Sequence, residues 1–180
     1  MNRRGLLALA SGGVAALALR TRPAAAHGAA AHGPVLIEMR GSARGEHVGF
    51  APLGLAVAPG ALLRFVNRDA SNSHTATTYH PSLFDRQRRI PAAAAPWDSG
   101  LLLPEESFEV TLEAAGVYDC YCQPHEMAGM VLRLVVGRPG DPGWEGAAPP
   151  SDDLPEAALA ALPSVEAILA DGPLMPAGLA

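Results

Sequence analysis

One short stretch constrains this chain more than any other: Tyr121-Cys122-Gln123-Pro124-His125-Glu126-Met127-Ala128-Gly129-Met130. Taken singly, its residues are ordinary. A lone Cys is usually a small buried hydrophobe, and Met fills irregular gaps in cores. Taken together, a thiol, an imidazole and two thioethers are the donor set of a soft transition-metal site, because sulfur ligands favour copper while imidazole suits several metals. Cys122 and His125 are close enough in sequence to meet across a tight turn. Met130 follows Gly129, so the loop can fold back and offer its sulfur from another side. Such a loop needs a rigid frame. The flanking text provides one, with an alternating segment at 116–122 and an apolar segment at 131–136.

Two His and one Cys in a plane, with a weak axial Met, form a trigonal copper site. The loop supplies one His, and His74 is the best candidate for the second. The expected metal set is therefore His74, Cys122, His125 and Met130, holding a copper ion. Met127 is an extra thioether in the same loop. His80, six residues beyond His74, would lie roughly 20 Å from it along one extended strand, so it is read as a supporting or surface residue. His47 is read as a surface residue.

Short strands separated by Gly and Pro turns indicate an all-β sandwich or barrel. Residues 35–40 alternate, with Val35, Ile37 and Met39 on one face and Leu36, Glu38 and Arg40 on the other. Further strands are expected over 48–58, broken at Pro52, over 61–67, and over 105–113 with Phe108, Val110 and Leu112 inward. In the strand before the loop, Tyr118, Cys120 and Cys122 share one face, while Asp119 and Tyr121 share the other. Cys120 is thus expected below the metal site. A disulfide between Cys120 and Cys122 is not expected, because same-strand cysteines two apart diverge from bridge geometry.

These segments resemble the cupredoxins, in particular the plastocyanin, pseudoazurin and halocyanin group. The resemblance rests on Gly116-Val117-Tyr118-Asp119-Cys120-Tyr121-Cys122-Gln123-Pro124-His125, then Gly129-Met130-Val131-Leu132-Arg133-Leu134-Val135-Val136. Upstream it rests on Phe50-Ala51-Pro52, Leu55, Val57, Pro59-Gly60, Phe65-Val66-Asn67 and His74. It covers roughly residues 34–138. It implies a cupredoxin Greek-key β-sandwich, and a type 1 (blue) copper protein that carries one electron at a time between a protein donor and a protein acceptor. It also implies that His125 lies near the surface. The chain departs from the family at Thr75, where Asn is frequent, and at Leu132, where Gly is common. Thr75 is still expected to donate a hydrogen bond across the two ligand segments, and Asn67, Ser73 and Thr75 are the expected supporting residues. A copper storage or delivery protein is the alternative reading. An enzyme is not expected, because no hydrolytic triad, phosphate loop or further His pairs are present in the sequence.

The 180 residues leave room for extensions beyond one domain. Residues 1–26 read as a twin-arginine export signal, with Asn2-Arg3-Arg4-Gly5-Leu6-Leu7, an apolar run to Leu19, and Ala24-Ala25-Ala26 as a cleavage site. The run is short for a membrane span, which needs roughly 20 residues, so no stable membrane insertion is expected after cleavage. A periplasmic location follows. Losing Arg3, Arg4, Arg20 and Arg22 takes the formal net charge of −5 four units lower, to about −9, which argues against nucleic-acid binding. Residues 27–33 read as a flexible leader, 34–138 as the cupredoxin domain, and 139–180 as an acidic tail forming a short helical C-terminal extension. A monomer is expected.

Two features stay open. The segment 81–103 is long for a sandwich connection and carries Arg86, Arg88, Arg89 and Trp97. It is either a solvated insertion with Trp97 pinned to the body or a cationic docking loop. The tail, with Asp152-Asp153 as expected helix caps and an apolar stripe from Leu154 to Leu169, either packs on the sandwich or serves as a binding arm.

Overall fold

The computed structural model describes residues 33–42 and 47–179. The expected export signal, and the expected leader apart from Gly33, lie outside these residues. The strands are β1 (Val35–Gly41), β2 (Val48–Ala51), β3 (Gly54–Val57), β4 (Ala61–Asn67), β5 (Thr77–Thr78), β6 (Ser107–Leu112), β7 (Gly116–Tyr121) and β8 (Val131–Val136). Two helices follow, α1 (Glu156–Ala161) and α2 (Val165–Asp171).

The strands form two four-stranded sheets, ordered β2-β1-β4-β6 and β3-β8-β7-β5. The pairs β1/β4 and β3/β8 are parallel and the remaining neighbours antiparallel. Each parallel pair is joined through the opposite sheet, which gives the expected Greek-key sandwich. The chain changes sheets at Pro52, where the missing N–H ends a ladder without leaving a donor unpaired. The alternation read from the sequence sets the core. Ile37, Met39, Phe50, Leu63 and Phe65 face Tyr118, Cys120, Leu132, Leu134 and Val136. Phe50 and Phe65 meet edge to face with ring centroids 6.1 Å apart.

The second sheet departs from the usual half-solvated pattern of an antiparallel sandwich. Every residue of β7 and β8 is buried, on both faces. The outer face is covered by the tail and the long insertion. Tyr79, Tyr121, Val131, Leu154 and Ala158 form a second, smaller core there. Asp119, turned to that face, is held by two arginines: Arg89 Nε at 2.9 Å, and Arg133 Nε and Nη2 at 2.7 and 2.9 Å. The arginines in turn donate to tail carbonyls, Arg89 to Pro149 and Arg133 to Pro163.

The tail therefore packs on the sandwich. Its approach is close: a Cβ at Gly54 would stand 2.8 Å from Pro163 Cγ and 2.9 Å from Ile168 Cγ1. Leu174 then pairs with Gly54 at the free edge of β3. The two helices lie within the expected tail, but the caps differ from Asp152-Asp153. Pro155 precedes α1, and Ser164 Oγ caps α2 by accepting from Ala167 N at 3.1 Å. Asp153 is instead drawn to Arg86 and to the Gln87 amide.

The insertion is not a displayed cationic loop. Trp97 is buried, 5.9 Å from the Tyr118 ring. Arg89 is buried on Asp119, Arg86 turns inward onto Glu126 and Asp153, and Arg88 pairs with Glu145.

Candidate metal centre

Strand β7 delivers Cys122 to the inner face one position past its end, below which lie Cys120 and Tyr118. Cys122 N donates to Met130 O at 3.0 Å, so the loop leaves and returns at one point. Between them, Gln123–Ala128 wind into a 3₁₀ turn with Pro124 in its first turn, where a missing N–H costs no hydrogen bond. His125 N donates to Cys122 O, and Met130 N to His125 O. Gly129 closes the turn at φ 77°, and a Cβ there would stand 3.1 Å from Ala157 O. Both the left-handed backbone and the close tail favour glycine.

The turn brings His125 to His74, which arrives from the polar loop after β4 and is fixed by backbone pairing with Leu102. The three donor atoms form a small triangle. His74 Nδ1 and His125 Nδ1 are 3.1 Å apart, and Cys122 Sγ lies 3.6 Å from the first and 3.4 Å from the second. Among the described residues, these form the one group of three His, Cys, Asp or Glu side chains placed to share an ion. An ion bound at about 2.0 Å to nitrogen and about 2.3 Å to sulfur separates such donors by about 3.1–3.8 Å. The triangle has that size.

Two corners of the triangle, His74 and Cys122, are held from behind. His74 Nε2 lies 3.0 Å from Asp69 Oδ2, which directs the ring proton to Nε2 and leaves Nδ1 bare for a metal. Asp69 is itself buried and braced by Ser71 N, Asn72 N and Asn72 Nδ2. Asn67 Oδ1 accepts from Asp69 N, while its amide donates to Asn72 O and Leu102 O. Thr75 N donates to Cys122 Sγ at 3.3 Å, and Thr75 Oγ1 accepts from Gln123 N at 2.9 Å. Thr75 thus bridges the two ligand segments as expected, but its side chain accepts across the gap and its backbone donates. Asn67 supports the site one step further out than expected. Asp69 was not among the expected residues. Its signal is faint: a carboxylate among small polar residues of the loop that leads to His74.

Burial favours the neutral forms of all three donors. Burial pushes the Cys122 thiol up to about 11, against hydrogen bonds from Thr75 and His125. Burial lowers both His74 and His125 from their ordinary value; at His74 the Asp69 contact opposes this. At neutral pH the imidazoles therefore present lone pairs, and a metal cation is what stabilises the thiolate beside them. The imidazoles shed their protons readily, the thiol keeps its own until a cation displaces it, and a soft cation suits this donor set.

Met130 is fully buried with its backbone paired to both Cys122 and His125, while Met127 is 77% exposed. His125 is half-buried and His74 fully buried. His80 lies apart, with Nδ1 2.8 Å from Ser82 Oγ. Both cysteines are free.

Comparison with known proteins agrees with this geometry. Residues 37–137 match the family model described as copper binding proteins, plastocyanin/azurin family. A chloroplastic plastocyanin of Chlamydomonas reinhardtii is 36% identical over 90 residues, covering 48% of this chain and 57% of that protein. One from Physcomitrium patens is 34% identical over 87 residues, covering 46% of this chain and 47% of that protein. The chain thus spans about half the length of these relatives. Among solved structures, a pseudoazurin from Sinorhizobium is 26% identical with a TM-score of 0.56, over 77% of this chain and 98% of that one. With the sandwich, the donor triangle and the family match in agreement, the chain belongs to the plastocyanin/azurin family of copper-binding proteins, the cupredoxins.

Proposed function

We propose that this protein is a type 1 copper protein that carries single electrons, and that His74, Cys122, His125 and Met130 would hold the copper. The observation that supports this most is the donor triangle, whose His74 and Cys122 corners are fixed by hydrogen bonds with Asp69 and Thr75 outside it. Bound copper supplies a one-electron Cu(I)/Cu(II) couple. The chain's residues hold the ligands still. Asp69 orients His74, Thr75 N–H donates to the Cys122 sulfur, and the turn closed at Gly129 holds His125. Fixed ligands have little to rearrange when an electron moves, and hydrogen bonding at the Cys sulfur tunes the potential. His125, the more exposed imidazole, is the electron's way out to protein partners. Electron carriage is the general role of the family and further supports the reading.

The same proposal includes a twin-arginine export signal over residues 1–26, a periplasmic mature protein, a leader over 27–33, a cupredoxin body over 34–138 followed by the tail at 139–180, and a monomeric state. Copper delivery is the competing role, favoured by the exposed thioether of Met127 beside the site. Protein-film voltammetry together with a Cu(I)-transfer assay separates the two. A carrier shows a reversible couple and keeps its copper in both states. Rapid loss of Cu(I) to a thiol-rich acceptor protein would establish delivery instead.

A further inference from the structure

Glu126 follows His125 directly, and its side chain does not behave as its neighbours in the turn do. Met127 and Ala128 point to solvent, whereas Glu126 is only 8% exposed. Its carboxylate is gripped by Arg86 in a two-pronged contact, Nη2 to Oε1 at 2.7 Å and Nη1 to Oε2 at 2.8 Å. Tyr79 Oη donates to Oε1 at 2.8 Å. Arg86 is fixed in turn. Its guanidinium carbon lies 5.2 Å from the ring centroids of both Tyr79 and Tyr121, which stack 4.3 Å apart. Its Nη2 donates to Asp153 O at 2.7 Å, and the Asp153 carboxylate also accepts from Gln87 N at 2.7 Å. The long insertion and the segment carrying His74 therefore meet at one carboxylate of the metal-ligand turn, and the tail holds the arginine that grips it.

Two physical consequences follow. A forked Arg–carboxylate pair fixes direction as well as distance, so it restrains the turn that carries His125. It also sets a guanidinium against a carboxylate one residue from a ligand, so that neither charge acts alone on the metal. Resting on the copper reading above, we propose that Arg86 and Glu126 are a positioning and charge-balancing pair for the metal centre, assembled from the insertion and held by the tail. Neither touches the donor atoms, and both act through the turn.

The test uses the full mature chain, with and without copper, as Arg86→Met, Glu126→Gln, the double variant, and Arg86→Lys. In the copper-free protein, amide hydrogen exchange is followed across residues 125–130. Arg86→Met and Glu126→Gln should each speed it by about tenfold or more, the factor carried by one charge-assisted hydrogen bond, with core strand amides unchanged. In the copper-loaded protein, Arg86→Met leaves a bare carboxylate and should lower the reduction potential. Glu126→Gln leaves a bare guanidinium and should raise it. The double variant should return toward the unsubstituted value. Arg86→Lys keeps the charge and loses the fork, so it should hold the potential but not the slow exchange. Potentials that move in one direction for both single variants, or exchange that stays slow in both, would overturn the proposal. Exchange that responds as stated in a protein giving no thiolate–copper band would support the positioning role and refute the copper reading separately.

Discussion

Asp69 Oδ2 stands 3.0 Å from His74 Nε2, and both side chains are buried. This contact settles which ring nitrogen faces Cys122 and His125. Hydrogen-bonded carboxylates behind metal-bound imidazoles typically account for 10–100-fold of metal affinity. Asp69→Asn is therefore expected to weaken copper binding by about 10–100-fold, measured by competition against a chromophoric chelator. Unchanged affinity would show that His74 is oriented by its backbone alone.

The copper-free protein should lose stability in mild acid. Burial holds His74 and His125 below their ordinary 6.5 in the folded state. As pH falls through that value, the unfolded chain takes up protons that the folded chain does not, and folding weakens. The thermal midpoint, followed by circular dichroism, should be level between about pH 7 and pH 8 and decline from about pH 6.5 downward. The decline should be shallower in His125→Gln. A midpoint that rises over this window would contradict the sign.

Asp119 is a fully buried carboxylate outside the site. It has no solvent contact and balances both Arg89 and Arg133. Removing one partner of a buried ion pair costs about 3–5 kcal/mol, and here two arginines lose their counter-charge. Asp119→Ala should lower unfolding stability by at least that range in urea titration. A loss below about 1 kcal/mol, the scale of a surface pair, would mean that water reaches this network.

The tail makes an independent prediction. Ile168 of α2 is fully buried and closely approaches Gly54 of β3. Truncating such a side chain costs about 2–5 kcal/mol. Ile168→Ala should show this loss in equilibrium unfolding, whereas an undocked tail would show none.

Much of the sandwich was legible because its signals are local. The alternation at Ile37 and Met39, and at Phe108, Val110 and Leu112, follows the strand period directly. The loop from Cys122 to Met130 carries ligand types that few other demands explain, and His74 and His125 do converge with Cys122. What the sequence did not disclose depends on contacts between distant segments. Asp69 reads as an ordinary loop carboxylate until His74 is placed beside it. Arg86 and Arg89 read as a basic surface until Glu126, Asp153 and Asp119 are found opposite them. Asp153 resembles a helix cap, but an arginine and a backbone amide of the insertion compete for its carboxylate, and Ser164 performs the capping seen in the tail. The outer face of β7 and β8 has the composition of a buried sheet, yet what buries it is named only by the fold.

The central claim is a copper site with a Cys122 thiolate ligand. The most direct measurement is the visible spectrum of the purified mature protein after Cu(II) addition, alongside Cys122→Ser. An intense thiolate-to-copper charge-transfer band at one copper per chain, abolished in the variant, is the predicted result. Absence of that band in protein whose Cys122 is shown to be reduced would contradict the account.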